Sequence, residues 1–168
     1  MEGESSLDSR LRKERVRSLL PGWKRALEEE AHIRLTDGDF LSIEETQELR
    51  TAFFGRVKAT SSVVIPGERL RDVLEEMSNL ANTLGDWPVI LFSSEDTLLG
   101  AVRVPAGAVL QHPLDVWAVV KQDLSLTSED VLHGLCLERN HMTPDGVHHD
   151  QPVYELSSWG TLALAKRD

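Results

Sequence analysis

Residues 85–120, GDWPVILFSSEDTLLGAVRVPAGAVLQHPLDVWAVV, decide how this chain is read. They hold Trp87 and Trp117, two of its four tryptophans, and its densest aliphatic runs. Val89–Phe92, Leu98–Val104, Ala108–Gln111 and Val116–Val120 are short apolar segments. Ser-Ser-Glu-Asp, Pro-Ala-Gly and His-Pro-Leu-Asp separate them. Short apolar or β-branched runs bounded by turn formers predict consecutive antiparallel strands. A sheet of this kind gives flanking amphipathic helices a surface on which to bury their apolar faces.

Upstream, PGERLRDVLEEMSNLANTLG (66–85) carries the clearest helical signal. Leu70, Val73, Leu74, Met77, Leu80, Ala81 and Leu84 recur at spacings of three and four. Pro66 suits a first turn and Gly85 a C-terminal cap. Ser42 and Glu45 form a capping box that starts a second helix with Ile43, Leu49, Phe53 and Phe54 on its apolar face, and Gly55 can close it. Asp37, Asp39 and Glu48 occupy positions 1, 3 and 12 of a calcium loop, but Ser42 stands where that loop needs glycine, so the capping box accounts for the segment. In the N-terminal region, Leu11, Val16, Leu19 and Leu20 form one stripe and Trp23, Ala26, Leu27 and Ala31 another, with Pro21-Gly22 expected to break the helix between them.

Downstream, Thr127 or Ser128 is expected to cap a short helix leading into a strand from Leu135 to Glu138. A polar turn around Pro144-Asp145-Gly146 then returns the chain as Val153–Leu156, able to pair with that strand. The expected fold is α+β: N-terminal helices packed on an antiparallel sheet of about five strands, with the 66–84 helix across one face. The whole chain, 1–168, reads as one domain. Residues 1–31 form a helical segment that either packs or reaches out as an arm, and 63–160 form the helix-plus-sheet core.

Composition bounds the function. The chain has 168 residues, 40% of them hydrophobic, enough for one buried core. No apolar run approaches the ~18–20 residues that span a bilayer, and the polar N-terminus lacks the apolar segment of a secretory signal. A single cysteine, Cys136, forms no internal disulfide. The expectation is a cytoplasmic protein without membrane attachment.

The net charge is −10 and unevenly spread. Met1–Arg25 has seven basic and four acidic residues, a local balance of +3 that leaves −13 for the remainder. An acidic body repels nucleic acid and steers basic partners toward itself. The basic N-terminal stretch is interrupted by Glu14 and reads as the solvated face of a helix. With aromatics at 5%, there are too few for a base-stacking platform.

No motif specifies a reaction. The chain lacks a Gly-x-Ser-x-Gly elbow, a phosphate loop and a dinucleotide fingerprint. His133 reads as a hydrogen-bonded histidine rather than a general base. The leading expectation is therefore a non-enzymatic acidic protein-binding module, in the manner of an immunity or antitoxin-like antagonist or an accessory subunit, with no cofactor. Trp87, Trp117 and Trp159 are its candidate anchors, because tryptophan and arginine are enriched at interface hot spots. Glu95, Asp96 and Asp115 would steer a basic protein partner. Arg103, the one charge within a strand, is placed on an exposed sheet face or site rim.

The alternative is a metal-dependent hydrolase or metal-binding domain. Cys136, Glu138, His141, Asp145, His148, His149 and Asp150 are clustered in sequence and carry the usual ligand chemistry. His141, His148, His149 and Asp150 are its candidate ligands. Their spacing matches no zinc template, and adjacent histidines on a strand point to opposite sides.

Overall fold

A computed structural model describes residues 6–142, 146 and 148–164. It shows an α+β fold. In chain order the elements are α1 (Ser6–Ala31), α2 (Ile43–Ala59), β1 (Val63–Pro66), α3 (Leu70–Leu84), β2 (Pro88–Leu91) and α4 (Asp96–Leu99). They continue with β3 (Val102–Pro105), α5 (Ala106–Gln111), α6 (Pro113–Val120), β4 (Leu124–Thr127), β5 (Gly134–Met142) and β6 (His148–Trp159). Six strands form one sheet in the order β1-β6-β5-β4-β2-β3, and every neighbouring pair is antiparallel.

Both sheet faces are packed. On one, Trp23, Leu27 and Ala31 of α1 and Val73, Met77 and Ala81 of α3 join buried residues of α5 and α6 over Val89, Leu91, Leu124, Leu126, Leu135, Leu137 and Leu156. On the other, Phe53 of α2 packs with Ile90, Phe92, Ala101, Cys136 and Trp159. The alternation within β2 therefore sends Val89 and Leu91 to one core and Ile90 and Phe92 to the other. A strand buried on both sides reads as an unbroken apolar run.

The capping box stands as expected: the Ser42 hydroxyl accepts from Glu45 N at 3.1 Å, and the Glu45 carboxylate accepts from Ser42 N at 2.8 Å. These bonds hold the Glu45 carboxyl below its ordinary range. The helix continues past Gly55 to Ala59. α3 ends at Gly85, whose φ of +50° suits a residue without Cβ. Pro21 does not break α1. It lies on the solvent side, while burial of Trp23, Leu27 and Ala31 holds the following turns against the core.

The predicted strands at Ala108–Gln111 and Val116–Val120 are instead α5 and α6, and Leu98 belongs to α4. Their buried residues expose the reason: Ala106, Val109 and Leu110, then Pro113, Val116 and Val120, recur at helical spacings. Each period runs through the turn formers between the predicted strands. β4, LSLT, is the strand the apolar pattern missed. Leu124 and Leu126 face one core, while Ser125 and Thr127 are buried on the other side. The expected helix after Ser128 is also replaced, here by a turn. Ser128 Oγ donates to Asp130 Oδ1 at 2.5 Å and accepts from His133 N at 3.1 Å, and Asp130 Oδ1 accepts from Leu132 N at 3.1 Å. Serine and aspartate thus compete with the helix for its own backbone donors.

Candidate functional site

α6 forms because Pro113 takes its first position, where no N–H is required, and Asp115 lies in the first turn beside the positive end of the helix. Lys121 ends it in a left-handed conformation, φ 54° and ψ 29°. Pro113, Val116 and Val120 are buried, leaving the other side open with Leu114 48% exposed. A cleft lies along each flank of that open side.

The first, of about 300 Å³, is lined by Leu114, Trp117, Ala118, Asp123, Arg139 and Tyr154. Tyr154 on β6 stands opposite Arg139 on β5. The half-buried Trp117 meets Tyr154 edge to face, with centroids 5.9 Å apart and planes at 69°. Arg139 is exposed and Asp123 half-buried; neither has an ion pair or hydrogen bond among the described residues. Burial pushes the Asp123 carboxyl above its ordinary value.

The second cleft, of about 590 Å³, lies between α6 and α1. Glu95, Asp115 and Lys121 line it together with Trp23 and Glu30. Asp115 and Lys121 are exposed and Glu95 is half-buried. Two of the three expected steering carboxylates, Glu95 and Asp115, thus meet at one cleft, with Trp117 on the other flank of the same helix.

The remaining candidates lie apart. Trp159 is a core residue, 6% exposed, with its indole N–H donating to Val131 O at 3.0 Å and its ring 5.6 Å from Phe53. It offers no surface to a partner. Asp96, 3% exposed, accepts from Ser93 N and from Arg50 Nη1, both at 2.9 Å. Burial raises its carboxyl to about 6, outweighing the opposing pull of Ser93 and Arg50. Arg50 lies 5.2 Å from the Phe54 ring and also donates to Gln122, so this pair fastens α2 to the link between β2 and β3. Its charge is spent internally and steers nothing. Trp87 is half-buried, edge-on to His133 at 5.3 Å, and His133 Nδ1 accepts from Thr161 N at 2.8 Å. Arg103 lies on the α2-covered face, ion-paired with Glu129, in a separate cleft of about 440 Å³ beside Glu45 and Asp130.

Among the described residues, no group of three histidine, cysteine or carboxylate side chains is placed to hold a metal. His148 and Asp150 are exposed on β6, while the side chains of His141 and His149, and Asp145 entirely, lie outside the described residues. Cys136 is buried in the α2-side core, and burial pushes its thiol up to about 12, so it carries no thiolate at neutral pH.

The sequence signal for this site was Trp117 and Asp115. Arg139 and Tyr154 were missed because each is an ordinary residue until β5 and β6 pair beneath α6. Comparison with protein-family models, with curated proteins and with solved structures finds no match for the chain. The site is therefore read from its own chemistry. No helix among the described residues is long and apolar enough to cross a membrane.

Proposed function

We propose that this chain is a non-enzymatic protein-binding module, an antagonist or accessory subunit that grips a basic partner through the open side of α6. One observation carries this reading: Trp117, Tyr154 and Arg139 converge on a single cleft beside the exposed Leu114. Tryptophan, tyrosine and arginine are the residue types that dominate interface hot spots. Asp115 and Glu95, on the other flank of α6, and a net charge of −10 supply the complementary field for a basic surface.

The test places a photo-crosslinking residue at position 114, and a control at position 75 on α3, in cells of the organism that makes the protein. A discrete basic protein captured from position 114 alone is then purified and titrated against the wild type. Binding that weakens with salt and falls at least tenfold in Leu114→Glu and in Trp117→Ala is the expected result. Equal capture from both positions, or affinity indifferent to both substitutions, refutes the reading.

A further inference from the structure

We propose that the outer face of α1 is an interface between two copies of this chain, whose helices pair antiparallel about a twofold axis near Ser18. The open side of α6 takes no part in this contact.

α1 has 26 residues, a rod of about 39 Å. Trp23, Leu27 and Ala31 bury one side of its second half, but none of residues 7–22 is fully buried. A second line of positions runs along the helix at spacings of three and four: Leu7, Leu11, Glu14 and Ser18, then Gly22, Arg25 and Glu29. Every one of them is exposed. Such spacing keeps a line on one face, the pattern by which two helices pair. Leu7 is 65% exposed and Leu11 45%, so two uncovered leucines lie one turn apart on this line. A Cβ built at Gly22 would meet nothing within 4 Å, and Ser18 and Gly22 are small enough to let a second helix approach to about 8–10 Å.

The charges favour a copy that runs the opposite way. Arg10, Arg12, Lys13, Arg15 and Arg17 against Asp8 and Glu14 leave the first half of α1 at +3. Its last turn holds Glu28, Glu29 and Glu30 with no basic residue, at the end where the helix dipole favours a cation. Arg34 compensates Glu28 alone. Arg10, Glu14, Arg25 and Glu29 have no ion pair or side-chain hydrogen bond among the described residues.

An antiparallel pair centred on Ser18 sets Leu7 level with Glu29 of the second copy, Leu11 with Arg25 and Glu14 with Gly22. Arg10 then reaches Glu29 and Glu14 reaches Arg25, each twice by symmetry. Leu7 and Leu11 lie against the methylene stems of Arg25 and Glu29. Such a contact is complete with two copies. A phosphate backbone or an anionic membrane suits only the basic half, because Glu14 and Glu29 stand in the same line and the chain beyond Arg25 carries −13. Exposed ion pairs contribute little each, so the dimer is weak and depends on concentration.

Sedimentation velocity of the full chain from micromolar to millimolar concentration tests this. A species of 18.8 kDa should give way to one of twice that mass, with association weakening as salt rises. Leu11→Glu should weaken association at least tenfold, and Leu114→Glu should leave it unchanged. Arg10→Glu and Glu29→Arg should each weaken it and, combined in one chain, restore it, because each swapped charge then meets its opposite. Circular dichroism checks that every variant keeps the wild-type helix content. Under mild oxidation, Leu7→Cys mixed with Glu29→Cys should give a linked heterodimer while neither links to itself, the two positions lying about 33 Å apart along one helix. The native Cys136 is buried and takes no part.

A monomer at every concentration overturns the proposal, as does a dimer indifferent to Leu11→Glu or lost in Leu114→Glu. Failure of the combined charge swap, or Leu7→Cys linking to itself, removes the antiparallel pairing. A monomer that binds phosphatidylserine vesicles or duplex DNA through Arg10 also overturns it, by giving the face to a polyanion.

Discussion

Replacing Gly134 by alanine should destabilise the protein by about 3–5 kcal/mol, although the same change in an unobstructed backbone stabilises by about 0.4–1 kcal/mol. Gly134 opens β5 and pairs with Trp159 on β6 and with Thr127 on β4. A Cβ there would stand 2.2 Å from Trp159 Cζ2 and 2.6 Å from Cε2 and Cη2. Carbon atoms pack at about 3.5 Å, so ring and strand must separate by about 1.3 Å. Neither yields readily. The ring is tied to Val131 O by its N–H and stacked against Phe53, and β5 is held by a partner on each side. Overpacking costs roughly 1–3 kcal/mol, a displaced indole hydrogen bond about 1, and an off-rotamer side chain about 0.5–1.5.

Urea denaturation followed by far-UV circular dichroism measures this without depending on Trp159 fluorescence. A double-mutant cycle isolates the cause. Trp159→Ala alone should cost about 3–5 kcal/mol, and adding Gly134→Ala to it should cost nothing further, because the obstruction is gone. Gly134→Ala within 1 kcal/mol of wild type, or additive costs in the cycle, would refute the argument and release Trp159 from its role as a core wedge.

The buried Asp96 carboxyl, raised from 3.8 to about 6, makes a pH-dependent contribution whose sign is fixed. Between those values the folded chain holds the proton more firmly than the unfolded chain, so this contribution is fully present below pH 4 and is lost as pH rises through 6. The loss is on the order of 3 kcal/mol, and the stability difference between wild type and Asp96→Asn, followed by denaturant titration from pH 4 to 7, should shrink or reverse accordingly. Phe53→Ala, emptying the centre of the α2-side core, should cost about 3–5 kcal/mol in the same assay, more than any exposed substitution on α2. Ser42→Ala should cost about 1 kcal/mol through loss of the cap, with Ser42→Asp recovering most of it. Arg103→Ala, removing an exposed ion pair, should shift stability by less than about 1 kcal/mol at physiological salt.

Elements whose signals are local were legible in the sequence. The Ser42–Glu45 box, the period of α3 with Gly85 at its end and the return of Val153–Leu156 beside Leu135–Glu138 stand as read, and β2 pairs antiparallel with β3, though β3 begins only at Val102 because Leu98 and Leu99 belong to α4. Each depends on residues close along the chain or on a regular period. Elements whose state depends on covering surface were not legible. VWAVV and AVLQ are apolar enough for either strand or helix, and short runs of that kind are decided by what they pack against. Here α5 packs against α3, and α6 beside α1, over a sheet already supplied with strands. β4, with two hydroxyl residues among its four, becomes a strand because β2 and β5 lie on either side of it.

The same division runs through the candidate site. Tryptophans and carboxylates were visible as residue types, but their exposure was not. Packing placed Trp159 against Phe53 and gave Asp96 to Arg50, withdrawing both from the surface. The chain by itself determined an acidic α+β protein with Trp117 and Asp115 near a turn. Only the tertiary structure brought Arg139 and Tyr154 to Trp117, because antiparallel pairing of β5 with β6 and the packing of α6 join residues that are distant along the chain.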